Sequence, residues 1–169
     1  MKKIVFFLLL ALVSSSHAQQ FDFSLSPVFL TTKLINTEET IIKKDLGLEI
    51  SALLVDRDVS IGYKCWTWDN DIKWQRVEMS YIYRELRPFV AGNWYNKKFV
   101  GEAGIRYLKA FPNKWFIDIA ASGLQTGYNL DGTVGLYNKG NVFVGIGGMY
   151  KKIENEIFSA PKVTIGFMF

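Results

Sequence analysis

The sequence predicts an all-β fold: an up-and-down antiparallel β-barrel that crosses a membrane with its strands. Three observations support this prediction. Apolar and polar residues alternate along most of the chain, no segment after residue 18 has the period of an amphipathic helix, and aromatic residues make up 15% of the composition. Alternation is the pattern of strands with one apolar face. In a membrane barrel it also averages the mean hydropathy toward zero, as in this chain at +0.09.

The chain begins with the features of a secretory signal peptide. A basic start and an apolar run over residues 4–13 precede the small residues Ser16 and Ala18. The run is shorter than the roughly 20 residues that a spanning helix needs. We expect cleavage after Ala18, so that residues 1–18 form the signal peptide and residues 19–169 form one barrel domain.

The first five strands show alternating apolar residues between turn-forming segments. We expect the first at about residues 21–31, with Pro27 at a bulge or a poorly paired position because proline lacks an N–H. Turns follow at residues 56–58 and 84–88, and in strand five, about residues 88–95, either face could point outward. The predicted outward residues are Phe21, Phe23, Leu25, Pro27 and Phe29; Leu46, Leu48, Ile50, Ala52 and Leu54; Val59, Ile61, Tyr63 and Cys65; Val77, Met79, Tyr81 and Tyr83; and either Phe89, Ala91 and Asn93 or Val90, Gly92 and Trp94.

The last five strands continue the alternation, and strand nine covers about residues 142–151. Asn and Gly at residues 138–141 favour a turn because both tolerate positive φ. The count is therefore ten, an even number that places both chain ends on the periplasmic side. An eight-stranded barrel, in which strand five and a neighbour are loops, is the alternative. The predicted outward residues are Phe99, Gly101, Ala103, Ile105 and Tyr107; Trp115, Ile117, Ile119 and Ala121; Tyr128, Leu130, Gly132, Val134 and Leu136; and Val163, Ile165, Phe167 and Phe169.

The same threading predicts the connections and the aromatic belts. Barrels of this kind have short periplasmic turns, longer outer loops, and Trp and Tyr at both rims. Aromatics that merely lie near strand ends, as in any all-β protein, are the alternative. We expect longer outer loops at 32–44, 67–73 and 152–157, an outer belt of Trp66, Trp68, Trp74, Trp94, Tyr128, Tyr150 and Phe158, and an inner belt of Tyr81, Tyr83, Tyr107, Trp115, Tyr137 and Phe169.

The inward faces carry charged residues of both signs in nearly equal number. Because unpaired charges in a narrow lumen are costly, we expect these groups to form ion pairs in a polar core that fills the barrel. A charged path for a small solute is the alternative. The predicted network contains Glu49, Lys64, Arg76, Glu78, Glu102, Arg106, Asp118, Asp131 and Lys162.

Three lysine pairs fall at the predicted outer rim. Lysines there could hold the phosphates of lipopolysaccharide by the electrostatics that draw basic segments to anionic lipid, and ordinary surface lysines are the alternative. The pairs are Lys43 with Lys44, Lys97 with Lys98, and Lys151 with Lys152.

The residue content argues against several functions. The only histidine, His17, lies in the predicted signal peptide, which excludes a Ser-His catalytic arrangement or a histidine metal site in residues 19–169. Cys65 is the only cysteine, so no intramolecular disulfide can form. The net charge of +4 includes two signal-peptide lysines, which leaves no support for a nucleic-acid partner. We expect no enzyme, no cofactor and no metal.

The C-terminal stretch carries a resemblance. Val163, Ile165, Phe167 and Phe169 alternate with polar or small residues up to the end of the chain. This ending resembles the insertion signal of bacterial outer-membrane β-barrel proteins, and the whole pattern resembles the small OmpX-like class, without a family-specific motif. The resemblance implies an outer-membrane location and insertion by the barrel-assembly machinery.

Three functions are consistent with such a chain. The first is a non-enzymatic structural or accessory barrel that contacts lipid or belongs to a larger outer-membrane complex. The second is a narrow solute channel. The third is a soluble periplasmic, lipocalin-like barrel with a ligand inside. Short outer loops and a charged interior favour the first.

Overall fold

Ten antiparallel strands close into one barrel in which each strand pairs with its neighbours in sequence and β1 pairs with β10. Ten strands are therefore confirmed, and the eight-stranded alternative is wrong. The computed structural model describes residues 20–35, 40–68, 71–95, 98–138 and 141–168. The strands are β1 (Gln20–Ile35), β2 (Thr40–Asp56), β3 (Val59–Trp68), β4 (Asp71–Tyr81), β5 (Leu86–Tyr95), β6 (Lys98–Ala110), β7 (Trp115–Leu124), β8 (Gly127–Tyr137), β9 (Val142–Ile153) and β10 (Glu156–Met168).

Three features of the sequence analysis fall outside these ranges. They are the signal peptide at residues 1–18, Lys97 and the terminal Phe169. Within the described ranges, no helix is long and apolar enough to cross a membrane.

The seam between β1 and β10 closes the barrel. Phe23 lies opposite Phe167 and Leu25 opposite Ile165, so apolar residues of both strands share the outer face. Among the described pairs, β1 contacts β10 at Leu25 and again at Val28, with no β10 partner for Pro27 between them, while Pro27 lies opposite Leu48 of β2. Pro27 therefore occupies the poorly paired position that its missing N–H requires.

The outside of the barrel is apolar. Large side chains that would be costly to expose to water over so wide an area point away from the sheet, among them Ile146 (70% exposed), Leu46 (66%) and Phe29 (60%). Each strand has at least the ten residues that a tilted crossing of the bilayer requires. Lipid is the environment that stabilises such an exterior.

The faces of β5 are now defined. Val90 and Trp94 are 56% and 45% exposed and face outward, whereas Phe89 and Asn93 are 4% and 0% exposed and face the lumen. Asn93 decides this orientation because its amide makes hydrogen bonds to groups inside the barrel.

The predicted long outer loops are wrong. The polar segments 32–44, 67–73 and 152–157 mostly continue the strands, and no two consecutive strands are separated by more than four residues at either end. Pairing persists because backbone hydrogen bonds do not require apolar side chains: Lys33, for example, still pairs with Ile42.

The β1–β2 hairpin extends beyond its neighbour. Pairing between β2 and β3 begins at Gly47 and Trp68, so within the described chain Thr40–Leu46 has no partner on that side. Ile41 and Ile42 point to opposite faces, yet both are exposed, at 43% and 59%. On the other side of the hairpin, β1 stays paired with β10 as far as Leu34 and Glu156. The first residues of β2 therefore form an edge that is paired on one side only.

Candidate functional site: the lumen

An aromatic cluster closes the lumen near the outer end. The rings of Trp66 and Trp74 lie 5.0 Å apart between centroids, and Phe158 lies 5.8 Å from Trp74 and 5.4 Å from Tyr95. Phe158 is fully buried. Tyr95 also donates a hydrogen bond to the carboxylate of Glu156. Because β5 and β10 are opposite one another in the ring of ten strands, these contacts span the full width of the lumen.

This cluster corrects the predicted outer belt. Trp66, Trp74 and Phe158 face inward, since Trp66 shares its parity with Lys64 and Trp74 with Arg76. Trp94, Tyr128 and Tyr150 do face outward. At the other rim Tyr81, Tyr83 and Trp115 are exposed, while Tyr137 lies on the lumen face and donates a hydrogen bond to the carbonyl of Phe111 at 2.8 Å. The side chains of Trp68 and Phe169 fall outside the described part of the chain.

Lys151 lies just below the aromatic cluster, and this corrects its predicted contact with lipid phosphate. Its side chain is 2% exposed, and Nζ lies 3.2 Å from the centroid of the Trp74 ring and 3.0 Å from Asn93 Oδ1. Glu102 Oε2 is 3.9 Å away. Consecutive residues of a strand point to opposite faces, so Lys151 and Lys152 cannot both reach lipid.

The middle of the lumen holds a cluster of two carboxylates and two lysines. Lys162 Nζ lies 3.2 Å from Glu49 Oε1 and 2.9 Å from Asp131 Oδ1. Lys64 Nζ lies 2.8 Å from Asp131 Oδ2 and 3.6 Å from Glu49 Oε1. Trp66 Nε1 donates a 2.5 Å hydrogen bond to the other oxygen of Glu49. Each charge thus faces two of opposite sign, which offsets the cost of burial.

Glu102 is the centre of a second cluster and is 5% exposed. Arg76 binds it through Nε at 3.0 Å and Nη2 at 3.2 Å, a two-point contact that orients both groups. Asn93 Nδ2 donates to it at 2.8 Å, Ser122 Oγ at 2.5 Å and Asn129 Nδ2 at 3.2 Å. Its oxygens are therefore saturated with donors.

The second cluster continues toward the inner end as a chain of alternating charges. Arg76 Nη1 lies 2.5 Å from Glu78 Oε2, and Arg106 Nη1 lies 3.0 Å from Glu78 Oε1. Arg106 Nε then lies 3.4 Å from Asp118 Oδ1. The guanidinium groups of Arg76 and Arg106 also lie over the Phe89 ring, at 4.9 and 5.9 Å from its centroid.

All nine residues of the predicted lumen network lie in these two clusters. Sequence reasoning missed Lys151, which with the four predicted bases matches the five acids, and it missed the hydrogen-bonding role of Asn93. The position of Lys151 in the strand was the available signal. Consecutive side chains point to opposite faces, so only one of two adjacent lysines can face lipid.

A cavity of about 140 Å³ remains on the inner side of the clusters. Glu78, Arg106 and Asp118 contribute to its polar wall, and Phe116 and Phe143 to its apolar wall. The Phe143 ring fits because residue 166 is glycine, where a β-carbon would overlap it. A second cavity of about 20 Å³ lies between the charged clusters and the aromatic cluster, and Lys64 and Arg76 line both cavities.

The predicted rim lysines do not form a ring. Lys44 and Lys152 lie on the outward faces of β2 and β9, whereas Lys43 and Lys98 have the parity of the inward face. Lys98 pairs with Glu154 at 3.4 Å. Lys151 is buried in the lumen. Lys97 lies outside the described residues.

No metal or thiol chemistry emerges from the described residues. None of their His, Cys, Asp and Glu side chains group in a way that could hold a metal ion. Cys65 is a free, buried thiol.

At the closing strand Val163, Ile165 and Phe167 face outward and are 41%, 48% and 44% exposed.

No family model and no curated protein matches the sequence. Among solved structures, the translocator domain of the autotransporter NalP from Neisseria meningitidis is similar with a TM-score of 0.51 and 9% identity, over 99% of this chain and 96% of that one. Neisserial surface protein A has a TM-score of 0.47 and 11% identity over 88% and 97% of the two chains. The KdgM porin has a TM-score of 0.44 and 10% identity, over 89% of this chain and 99% of that one. At these identities the likeness concerns the fold.

The fold and its two surfaces define the class of protein. The sheet is closed, its exterior is apolar and its interior is charged, which is the inverse of a soluble protein and the arrangement of a barrel in lipid. The chain is a β-barrel of the bacterial outer-membrane type.

Proposed function

We propose that this outer-membrane barrel acts through its outer surface, as a non-enzymatic structural or accessory protein that contacts lipid or joins a larger outer-membrane complex. The observation that carries the proposal is that side chains from opposite strands meet across the lumen at three levels. They are Phe158 with Tyr95, Lys151 with Trp74, and Lys64 with Asp131.

A channel is the less favoured function because its path would have to break these contacts. The strands that carry each pair are five positions apart in the ring in either direction. A solute entering the inner cavity would meet the Lys64–Asp131 pair and then the aromatic cluster. Interiors of small barrels filled in this way provide rigidity and no passage.

Catalysis is also disfavoured by how the carboxylates are used. Glu78 and Glu102 are the pair best placed for acid–base work, but Arg76 binds both of them, and an ionised carboxylate held by arginine is a poor proton donor or acceptor. Residues 19–169 contain no histidine.

A lipocalin-like function would require the opposite distribution of polarity. A ligand-binding lumen is lined predominantly by apolar side chains, whereas at least ten charged residues occupy this one. Recovery of the native protein in the soluble periplasmic fraction would contradict our proposal at this point.

Site-specific photocrosslinking in native membranes tests the proposal. A crosslinker at Ile146 or Val90, which face outward on β9 and β5, is expected to capture lipid or a neighbouring outer-membrane protein. The matched control is Thr133, which is 9% exposed and faces the lumen. Capture of a solute or a polypeptide from position 133, with none from the outer positions, would show that the lumen is the working surface.

A further inference from the structure

Three lysines point outward from neighbouring strands at the outer end of the barrel. Ile157 of β10 lies opposite both Lys152 of β9 and Lys33 of β1. The two lysines are therefore two strands apart, about 10 Å. On the next strand Lys44 lies opposite Thr31, which places it diagonally from Lys33 at about 7–8 Å.

These lysines share one face because strand pairing is regular from β8 through β9, β10 and β1 to β2. No shift of register interrupts the ladders that join β8, β9, β10, β1 and β2. Side chains therefore alternate strictly between the two faces across this part of the sheet. Lys33 and Lys44 share the outward parity of Phe29 and Leu46, which are 60% and 66% exposed.

The charge of this group is uncompensated by the rest of the described chain. No described carboxylate lies within ion-pair distance of Lys33, Lys44 or Lys152, whereas the lumen lysines and Lys98 have acidic partners. The row just below the group carries the hydroxyls of Thr31 and Ser159, which lie opposite each other. This face therefore presents three ammonium groups and two hydroxyls, and none of the three ammonium groups is paired with a described carboxylate.

An apolar and aromatic surface continues directly toward the membrane from this group. Phe29 and Leu46 lie below Lys44 on the same face, and Tyr150 stacks with Tyr128 at 6.0 Å on the adjacent strands. Tyr side chains favour the headgroup level. The lysines therefore stand at the height of the lipid phosphates, with acyl-chain contacts immediately beneath them.

We propose that Lys33, Lys44 and Lys152 form a binding site for the phosphorylated headgroup of an outer-leaflet lipid. The inference rests on the proposed location of the barrel in the outer membrane. The three lysines start from backbone positions about 7–10 Å apart, so the site has room for a headgroup that carries more than one phosphate. Thr31 and Ser159 donate hydrogen bonds to the same headgroup.

The test compares two sets of substitutions of exposed lysines. The site variant is K33Q/K44Q/K152Q, and the control is K43Q/K98Q, which removes charges at the same end of the barrel but not on this face. Each protein is placed in phosphatidylcholine nanodiscs and titrated with lipid A that carries two phosphates, one or none, and bound lipid is counted by native mass spectrometry.

We expect the wild type and the control to bind bisphosphorylated lipid A alike, and the site variant to bind at least about tenfold more weakly, since each lysine near an anionic surface adds to the attraction. Equal binding by the site variant, or equal binding of unphosphorylated lipid A, would overturn the proposal. Displacement of the lipid by millimolar inorganic phosphate would show an anion site without lipid selectivity and would also overturn it.

Failure of this inference can be told apart from failure of the proposed function. The band shift on heating in gel electrophoresis reports a folded barrel for every variant, and fractionation reports its membrane. A folded protein of the outer membrane that ignores lipid phosphate contradicts only the headgroup site. A protein absent from that membrane contradicts the location itself.

Discussion

Lys64 Nζ lies 2.8 Å from Asp131 Oδ2, although β3 and β8 are as far apart as two strands of this barrel can be. The two side chains therefore meet in the middle of the lumen. Lys162 approaches the same carboxylate at 2.9 Å and Glu49 completes the group. Ion pairs therefore join opposite walls of the barrel across the path that a pore would have to follow.

Substitution of Asp131 by Asn tests this cluster. It leaves Lys64 and Lys162 facing Glu49 alone, and loss of one partner of a buried ion pair typically costs about 3–5 kcal/mol. We expect a loss of that order in the free energy of unfolding, measured by urea titration in detergent micelles. Asp118→Asn is the control, because the Asp118 side chain is 37% exposed and its ion pair is longer. Equal effects of the two substitutions would show that the central cluster has no special weight.

The orientation of Lys151 can be tested by chemical labelling. Lys151 is 2% exposed inside the barrel, whereas Lys44 is exposed and the Lys98 side chain is 68% exposed. A water-soluble amine-reactive ester applied to the folded protein should modify Lys44 and Lys98 and leave Lys151 intact until the barrel is unfolded. Peptide mass spectrometry reads the outcome, and rapid modification of Lys151 in the folded state would contradict the assigned face of β9.

Removal of the Phe158 ring is expected to destabilise the outer end. Phe158 is fully buried and packs against Trp74 and Tyr95, so Phe158→Ala should cost about 3–5 kcal/mol. The temperature at which the folded gel band disappears measures the effect. Phe29→Ala removes an equal ring from the lipid face, where detergent replaces the lost contacts, and should lower that temperature much less.

The end of the chain supplies a prediction about assembly. Val163, Ile165 and Phe167 present an apolar face to lipid on the closing strand, and Phe169 continues their alternation in the sequence. Deletion of Phe169 should reduce the fraction of protein that reaches the outer membrane in the heat-modifiable form. Deletion without any loss of that fraction would mean that the residue is not part of an insertion signal.

Alternation along the sequence was sufficient to predict ten strands and the inward position of nine charged residues. It is insufficient for Trp66, Trp74 and Phe158, which sequence reasoning places in an aromatic belt at the outer rim because aromatic residues are common in such belts. Their parity relative to Lys64, Arg76 and Lys162 gives the opposite face. Residue type and parity conflict wherever an apolar group fills a lumen, and parity decides because the backbone enforces it.

The lengths of the connections were not predictable for a different reason. The polar residues 32–44 predict a loop, but residues 32–35 and 40–44 form the paired end of the β1–β2 hairpin, where β1 also pairs with β10. Outside the lipid a strand no longer needs an apolar face. Its sequence therefore loses the alternation while its backbone pairing continues.

Ion conductance through single barrels in a planar lipid bilayer tests the closed lumen most directly. The protein is delivered to the bilayer in lipid vesicles, and the gel shift of protein recovered from these vesicles verifies that it is folded. We predict no current above background for the wild type, because Phe158 with Tyr95, Lys151 with Trp74, and Lys64 with Asp131 meet across the lumen. A steady, stepwise current from the inserted wild-type protein would contradict the account and identify the protein as a channel.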